Sequence, residues 1–441
     1  MKKEKICVLG LGYIGLPTAT MFAVSGFEVI GVDVKPKVVE TINKGNIHIE
    51  EPGLEDLVKN TVKKGDLRAN TEPEAADVFI IAVPTPLTQS KGIKLNYVRS
   101  AIQMINPYLK KGNLVIIEST ITPRTTEDII LPELRNSGLD PRKDIYVSHC
   151  PERVLPGKII NELINNNRVV GGINEESALK SRSLYRNFVE GEIYITDATT
   201  AEMVKLMENT YRDVNIALAN ELAKVSEKVK IDIWEAIELA NKHPRVNIHK
   251  PGPGVGGHCL AIDPWFIVEK APEIAKLIHL SRNINDSMPK FVVKNVKEKL
   301  FGINNPKIAI LGITYKGNVD DLRESPVLKI IDSFIEQGVE LGIYDPHVNE
   351  CQYKLNTLDE AIKGADCIII GTDHKEFKNI DPIKMYKLMR NKILFDTKNL
   401  LEQDKWKNAG FSVYKIGNYS EYNWHNSYGI NEEFDIKKEM I

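Results

Sequence analysis

The segment Pro251-Gly252-Pro253-Gly254-Val255-Gly256-Gly257-His258-Cys259 is where composition most directly implies chemistry. Glycine and proline at this density build unusual backbone angles and leave few side chains, so a ligand can lie close against the main chain. Cys259 follows at the expected start of a helix, where free N–H groups and the helix dipole favour a thiolate and a neighbouring oxyanion. A thiol is more often a small buried hydrophobe. That reading suits Cys7, Cys351 and Cys367, in or beside strand-like runs. The glycine loop reverses it for Cys259, which is read as a nucleophile.

Lys205, Asn209 and Arg212 recur at i, i+4 and i+7 of a helical segment and share a face. An ammonium, an amide and a guanidinium in line can grip a substrate or hold an anionic intermediate. The same row is also what a solvated helix face looks like. The run His149-Cys150-Pro151-Glu152-Arg153 ends a strand-like segment with a carboxylate and a guanidinium. Glu152 can hold a water for hydrolysis, or belong to a surface ion pair.

Gly10-x-Gly12-x-x-Gly15 follows the first apolar run and opens a helical one. Gly10 permits a tight turn, Gly12 lets a pyrophosphate approach the backbone, and Gly15 allows close packing of helix on strand. The helix N-terminus then offers N–H groups and a favourable dipole to phosphate. Asp33 ends the next apolar run, where its carboxylate can take both ribose hydroxyls and repel a 2′-phosphate. NAD is favoured over NADP, and FAD stays open from these residues alone. Thr85 and Thr120 sit at further strand ends, which border the ligand crevice in such folds.

The elements that must position these groups form two series. Strands are expected at Lys5–Leu9, Glu28–Val32, Val78–Val83, Leu114–Glu118 and Ile145–Ser148, with helical patterns such as Leu16–Ser25 and Tyr97–Tyr108 between them. This alternation argues for a parallel sheet with helices on both faces. From Thr199 to Val229 the period becomes that of one long helix, and Asp232 is placed to cap a second, Ile233–Ala240. Asp286–Ser287 is read as preceding another helix near Phe291–Leu300. The second series has strands at Lys307–Leu311, Glu340–Tyr344, Cys367–Ile370 and Ile393–Phe395, after a junction at Asn304-Asn305-Pro306. The expected fold is α/β, with two Rossmann-like doubly wound domains joined by a long central helix and a helical middle domain. The domains are drawn at 1–195, 196–300 and 301–441. The halves are taken as distant echoes whose sequences barely match.

A chain of 441 residues has room for more than one core, and 42% hydrophobic with 27% charged residues is the balance of a globular protein. A net charge of −2 gives no reason to expect a nucleic-acid partner. No apolar run approaches the roughly 20 residues of a membrane span, so no membrane partner is expected. Lys2–Lys5 leads into a short apolar run and a glycine motif, which is not the pattern of a signal peptide. Five scattered cysteines without CxxC spacing argue against a disulfide framework and a zinc site, so no metal is expected, and a cytoplasmic setting fits.

Taken together, these motifs resemble the UDP-glucose/GDP-mannose dehydrogenase family over nearly the whole chain. The match runs from Gly10-Leu-Gly-Tyr-Ile-Gly-Leu-Pro through Pro84-Thr85-Pro86, Glu118-Ser-Thr120, Pro151-Glu152-Arg153 and the Cys259 loop to Leu311-Gly-Ile-Thr-Tyr-Lys316 and Asp321-Leu-Arg323-Glu-Ser-Pro326. Within the family, the Pro-Gly-Pro-Gly lead-in, Ala261 and Asp263-Pro-Trp265-Phe266 are similar to the branch acting on UDP-N-acetyl-D-mannosamine. The branches acting on UDP-N-acetylglucosamine and UDP-glucose are the alternatives.

The resemblance implies oxidation of a sugar C6 alcohol to a carboxylate, with two NAD+ consumed and a thioester on Cys259. It assigns acid–base or oxyanion work to Lys205, a hydrogen bond to Asn209, and management of waters to Glu152 and Asp263, with Thr120 beside them. It gives the cofactor to Gly10, Gly12, Tyr13, Ile14, Gly15, Asp33, Thr85, Thr120 and Arg323. The UDP-sugar falls to Arg153, Val154, Lys205, Asn209, Arg212, His243, Gly256, Tyr315, Lys316 and Lys398, with Arg245 reaching from a neighbouring subunit. A homodimer or larger homo-oligomer built on the long helix is expected. Two rivals read the same motifs differently. A simple hydroxyacid dehydrogenase needs neither Cys259 nor a second α/β series. A non-catalytic nucleotide-sugar sensor does not need Cys259, Lys205 and Glu152 together.

Overall fold

Strands buried on both faces gain from every side chain, which is why short unbroken apolar runs mark them here. In the computed structural model, which describes residues 4–88 and 91–418, eight strands form the first sheet. They are β1 (Lys5–Leu9), β2 (Glu28–Val32), β3 (Leu67–Asn70), β4 (Val78–Ile81), β5 (Leu114–Ile117), β6 (Tyr146–His149), β7 (Arg168–Gly172) and β8 (Ile193–Asp197). Their order is β3-β2-β1-β4-β5-β6-β7-β8, so the chain reverses direction across the sheet between β1 and β4. In a doubly wound sheet that reversal opens the ligand crevice at the strands' carboxyl ends. The pairings are parallel except that β6 and β7 are antiparallel.

The second sheet holds β9 (Lys307–Leu311), β10 (Glu340–Tyr344), β11 (Cys367–Ile370), β12 (Ile393–Asp396) and β13 (Ser412–Lys415). It is ordered β10-β9-β11-β12-β13 and wholly parallel. The fold is α/β with two Rossmann-like sheets and a helical middle region. The chain divides into one unit of residues up to Tyr211 with Ile262–Ile278, and another of Arg212–Ala261 with the described residues from His279.

The expected strands all form, five of them with the expected ends, while β3, β7, β8 and β13 are additions. The two sheets open on the same local arrangement. Lys5 pairs with Glu28 and Lys307 with Glu340, each at the start of a strand. The Lys5 N–H donates to Asp77 Oδ2 at 2.9 Å, and the Lys307 N–H to Asp366 Oδ2 at 2.8 Å. The Leu11 N–H donates to Asp33 Oδ2 at 3.1 Å, and the Ile313 N–H to Asp345 Oδ2 at 2.7 Å. Aligned this way, Lys5-Ile6, Leu9-Gly10, Tyr13 and Gly15 correspond to Lys307-Ile308, Leu311-Gly312, Tyr315 and Gly317. The repeat is legible only when compared at the strand register.

Helix Ala198–Val229 forms where the long period predicts it. Asp232 caps Ile233–Ala240, its carboxylate accepting the Trp234 N–H at 2.8 Å. Asp286–Ser287 does not precede a helix, because both lie inside Lys276–Lys299, which runs through Pro289. Proline supplies no N–H to the carbonyl four residues back, that of Asn285. The Asn285 carbonyl oxygen instead lies 3.1 Å from where a side chain on Gly254 would begin. Ser287 stays within the helix, its Oγ donating to the Ile284 carbonyl at 2.6 Å and accepting a hydrogen bond from Lys224 Nζ at 2.7 Å.

Candidate active site

The glycine motif closes the end of β1. Gly10 has φ 91°, and a Cβ there would stand 2.6 Å from the Ala82 carbonyl oxygen. A Cβ on Gly15 would stand 1.7 Å from the Gly10 oxygen, so the helix Gly15–Val24 can only start here without a side chain. Gly12 has nothing within 4 Å of that position, which leaves its backbone open to a phosphate. Tyr13 and Ile14 form the turn between, half-buried. The Asp33 carboxylate accepts the N–H groups of Leu11 (3.1 Å) and Lys35 (3.0 Å), which fixes it at the end of β2, the position at which dinucleotide-binding folds take ribose hydroxyls. Thr85 and Thr120 follow β4 and β5, half-buried at the same sheet edge. This cradle fits a dinucleotide.

In the same unit the long helix and the helix Asp263–Lys270 meet. Lys205, Asn209 and Asp263 are all buried, and Asn209 Nδ2 donates to Asp263 Oδ2 at 2.5 Å. Burial pushes Asp263 up to about 6, against the pull of the nearby Lys205 ammonium and the Asn209 amide. The row of basic and amide groups is thus no solvated face at these two positions. Arg212, at i+7, is exposed.

Glu152 is also buried. Its Oε1 accepts the Arg153 N–H at 2.6 Å and its Oε2 lies 3.0 Å from Arg168 Nη2. An ion pair exists here, but beneath the surface rather than on it. Arg153 reaches Glu208 on the long helix at 3.3 Å, and Val154 is half-buried beside it. His149 is buried with no partner on Nδ1 among the described residues, and desolvation pulls it down to about 3.

The second unit holds the glycine-rich loop that leads to Cys259. Its glycines are sites of close approach. A Cβ on Gly256 would meet the Glu324 carbonyl oxygen at 2.6 Å and Tyr315 Cβ at 2.7 Å. One on Gly257, at φ 81°, would meet the Tyr315 ring at 2.9 Å. The Gly257 N–H donates to the Arg323 carbonyl at 2.9 Å, and the Gly252 N–H to Asn220 Oδ1 at 2.9 Å. Asn220 was not among the sequence candidates. It is buried on the long helix and also donates to Asn285 Oδ1 at 2.9 Å, which ties the loop to two helices.

Cys259 is half-buried in the turn after this loop and four residues ahead of Asp263–Lys270. The expected helix start at Cys259 is therefore corrected. Ile262 fills the N-cap, and Pro264 occupies the first turn where its missing N–H costs nothing.

The second unit holds further candidates. Lys316 is half-buried. Arg323 is exposed and chelates the Asp321 carboxylate at 2.6–3.0 Å. Burial raises Asp321, yet Arg323 holds it below the usual carboxylate range, with His258 adding to the pull. Lys398 Nζ lies 3.8 Å from the Cβ position of Gly252. Burial lowers Lys398, while Asp373 and Asp396 oppose the shift. His243 and Arg245 are exposed in the loop after Ile233–Ala240.

His347, His374 and Glu376 also cluster, with potential ligand atoms within 4.8 Å. His374 Nδ1 accepts the Asn318 N–H at 2.9 Å, which puts the ring proton on Nε2, 3.0 Å from Asp345 Oδ2. Both nitrogens are thereby engaged and none is left for a metal.

A dinucleotide cradle, a buried lysine–amide–carboxylate group and a loop-borne thiol in a two-sheet α/β chain define a cofactor-dependent dehydrogenase with a second nucleotide-binding half. The chain belongs to the UDP-glucose/GDP-mannose dehydrogenase family. Residues 4–189 match its NAD binding domain, 199–287 its central domain and 309–403 its UDP binding domain. It is therefore an NAD-dependent oxidoreductase of nucleotide sugars.

A UDP-N-acetyl-D-mannosamine dehydrogenase of Methanococcus maripaludis is 55% identical over 94% of this chain and 97% of its own. An NDP-N-acetyl-D-galactosaminuronic acid dehydrogenase of Ralstonia nicotianae is 44% identical over 90% of this chain and 96% of its own. The solved UDP-D-ManNAc dehydrogenase of Pyrococcus horikoshii superposes with a TM-score of 0.89 at 46% identity, covering 94% of this chain and 99% of that one. Among the described residues no helix is long and apolar enough to cross a membrane.

Proposed function

We propose that this chain oxidises the C6 alcohol of UDP-N-acetyl-D-mannosamine to the uronate through a thioester on Cys259. The observation that carries the mechanism is the Cys259 loop itself. Its glycines admit no side chain against Tyr315 and Glu324, so the loop has one shape and a thiol at its end. When bound, NAD+ supplies the hydride acceptor for each of two oxidations. Lys205 takes the proton of the C6 hydroxyl and holds the oxyanion, with Asn209 as a second donor. The Cys259 thiolate adds to the aldehyde carbon, which retains a reactive intermediate between cofactor exchanges. After the second oxidation the carbonyl carbon is bonded to sulfur. A water steered by Glu152 and Asp263 displaces the thiolate and leaves the carboxylate, and Thr120 is counted with the catalytic groups. Overall, one alcohol, two NAD+ and one water give one carboxylic acid, two NADH and two protons.

The cradle of Gly10, Gly12, Gly15 and Asp33, with Tyr13, Ile14, Thr85 and Thr120, holds NAD, and Arg323 is assigned to the cofactor with them. Arg153, Val154, Arg212, His243, Gly256, Tyr315, Lys316 and Lys398 bind the UDP-sugar. The choice of the mannosamine epimer draws on Ala261, Trp265 and Phe266 and on the names of the relatives above. Progress curves of NADH with UDP-N-acetylmannosamine, UDP-N-acetylglucosamine, UDP-N-acetylgalactosamine and UDP-glucose test it. The mannosamine epimer is expected to have the highest kcat/KM, and a higher value for any other sugar reassigns the substrate.

The working form is a homodimer. Met207, Tyr211, Leu218, Val225 and Val229 are exposed apolar residues at near-heptad spacing on the long helix. Arg245 then serves the neighbouring subunit's substrate. The setting is cytoplasmic, in keeping with five thiols and no disulfide.

A further inference from the structure

We propose that Arg168 is a positioning residue for thioester hydrolysis, holding Glu152 in the orientation that steers the attacking water. The inference rests on the reading of Glu152 given above. It begins from strand direction. β7 runs antiparallel to β6, with Ser148 paired to Gly172 and His149 to Gly171. Continuing that register four residues outward sets Arg168 opposite Glu152. A parallel β7 would have left its first residue at the far edge of the sheet. The reversed strand delivers a guanidinium to the carboxyl edge, where the ligand crevice lies.

The Glu152 carboxylate is then gripped at both oxygens, Oε1 by the Arg153 N–H at 2.6 Å and Oε2 by Arg168 Nη2 at 3.0 Å. Arg168 is itself fixed on every side. Nη1 lies 3.5 Å from Cys150 Sγ and 3.9 Å from Glu118 Oε1. The guanidinium carbon sits 4.6 Å from the Tyr185 ring centroid and 5.8 Å from that of Phe188. Glu118 is locked in turn by the Tyr185 hydroxyl at 2.6 Å and Thr18 Oγ1 at 3.2 Å. One cation thus stands between two buried carboxylates. Stability alone does not call for such a cluster, since apolar residues of similar volume usually serve as well. Arg168 Nε even lacks a partner among the described residues. A structure that tolerates this cost points to a task for the carboxylate it holds.

The test is stopped-flow NADH formation by the full chain with NAD+ and UDP-N-acetylmannosamine, with mass spectrometry of Cys259. Arg168→Met is expected to keep a burst of two NADH per site while steady-state kcat falls about 100-fold, the usual cost of a misplaced reacting group. KM should fall with kcat, and an acyl adduct should accumulate on Cys259. Adding Glu118→Gln to Arg168→Met removes one of the two opposed carboxylates and should recover roughly 10-fold of that loss. Should Arg168→Met fail to fold, Arg168→Lys decides, because it keeps the charge but grips by a single point; its loss must again fall on the steady state alone. Burst and steady state falling in proportion, or an unchanged kcat, overturns the positioning role. A wild-type chain with no second burst NADH and no adduct overturns the thioester reading instead.

Discussion

Replacing Glu118 by Gln should make the protein more stable at alkaline pH and leave it unchanged in acid. The Glu118 side chain is fully buried. Desolvation pushes its carboxyl up from 4.5 to about 7, outweighing the pull of Arg168, with Glu152 adding to the rise. A carboxyl whose folded value exceeds its unfolded one is bound to its proton more tightly in the native state. That stabilisation is complete below about 4.5 and is lost as pH rises through about 7. At 1.36 kcal/mol per unit the loss is on the order of 3 kcal/mol. Glutamine copies the protonated form at every pH. Its carbonyl still accepts from Tyr185, its amide can donate to Thr18 Oγ1, and Arg168 keeps Glu152 at 3.0 Å. Scanning calorimetry of both proteins from pH 4.5 to 8 measures the difference, since the other titrating groups are common to both. It should grow from zero to about 3 kcal/mol, a rise of several degrees in Tm for a unit of this size. A difference independent of pH, or a wild type more stable at pH 8, would refute the reasoning.

Two other outcomes follow from the site. Asp33→Ala loses the acceptor for Leu11 and Lys35 N–H groups and for ribose hydroxyls, so NAD should bind about 100-fold more weakly by calorimetric titration, worth some 2–3 kcal/mol of charge-assisted hydrogen bonds; unchanged affinity would move the ribose elsewhere. Alkylation followed by mass spectrometry should modify half-buried Cys259 and Cys351 first, with the UDP-sugar protecting Cys259. Burial pushes Cys7 up to about 12 and Cys150 up to about 11, and raises Cys367 further, so early labelling of any of these three would contradict the placement.

Much of this arrangement was legible in the sequence, and the exceptions have physical causes. Strands whose apolar residues are all buried, such as Lys5–Leu9 and Cys367–Ile370, announce themselves as apolar runs. β3, reading Leu-Arg-Ala-Asn, alternates buried and half-buried positions, and β8 is an edge strand whose Tyr194 and Ile195 are exposed, so neither gives such a run. β7 was hidden by its opening Arg168, a charge that belongs to the cluster around Glu152 and not to a surface. Asp286–Ser287 was expected to precede a new helix, but packing of Met288, Val292 and Val296 in the second core carries one helix through both residues and Pro289. The chemistry-bearing residues were easier to find than their supports. Cys259, Lys205 and Asp263 are odd residues in their local patterns, whereas Asn220, Arg168 and Tyr185 matter only through contacts made across the fold.

The central claim is a four-electron oxidation that passes through Cys259. It is tested most directly by counting NADH formed per nucleotide sugar consumed, in the wild-type chain and in Cys259→Ser, with the uronate quantified in parallel. Two NADH and one uronate per sugar are predicted for the wild type, and no uronate for the variant. One NADH per sugar in the wild type, or full uronate production by Cys259→Ser, would contradict the account.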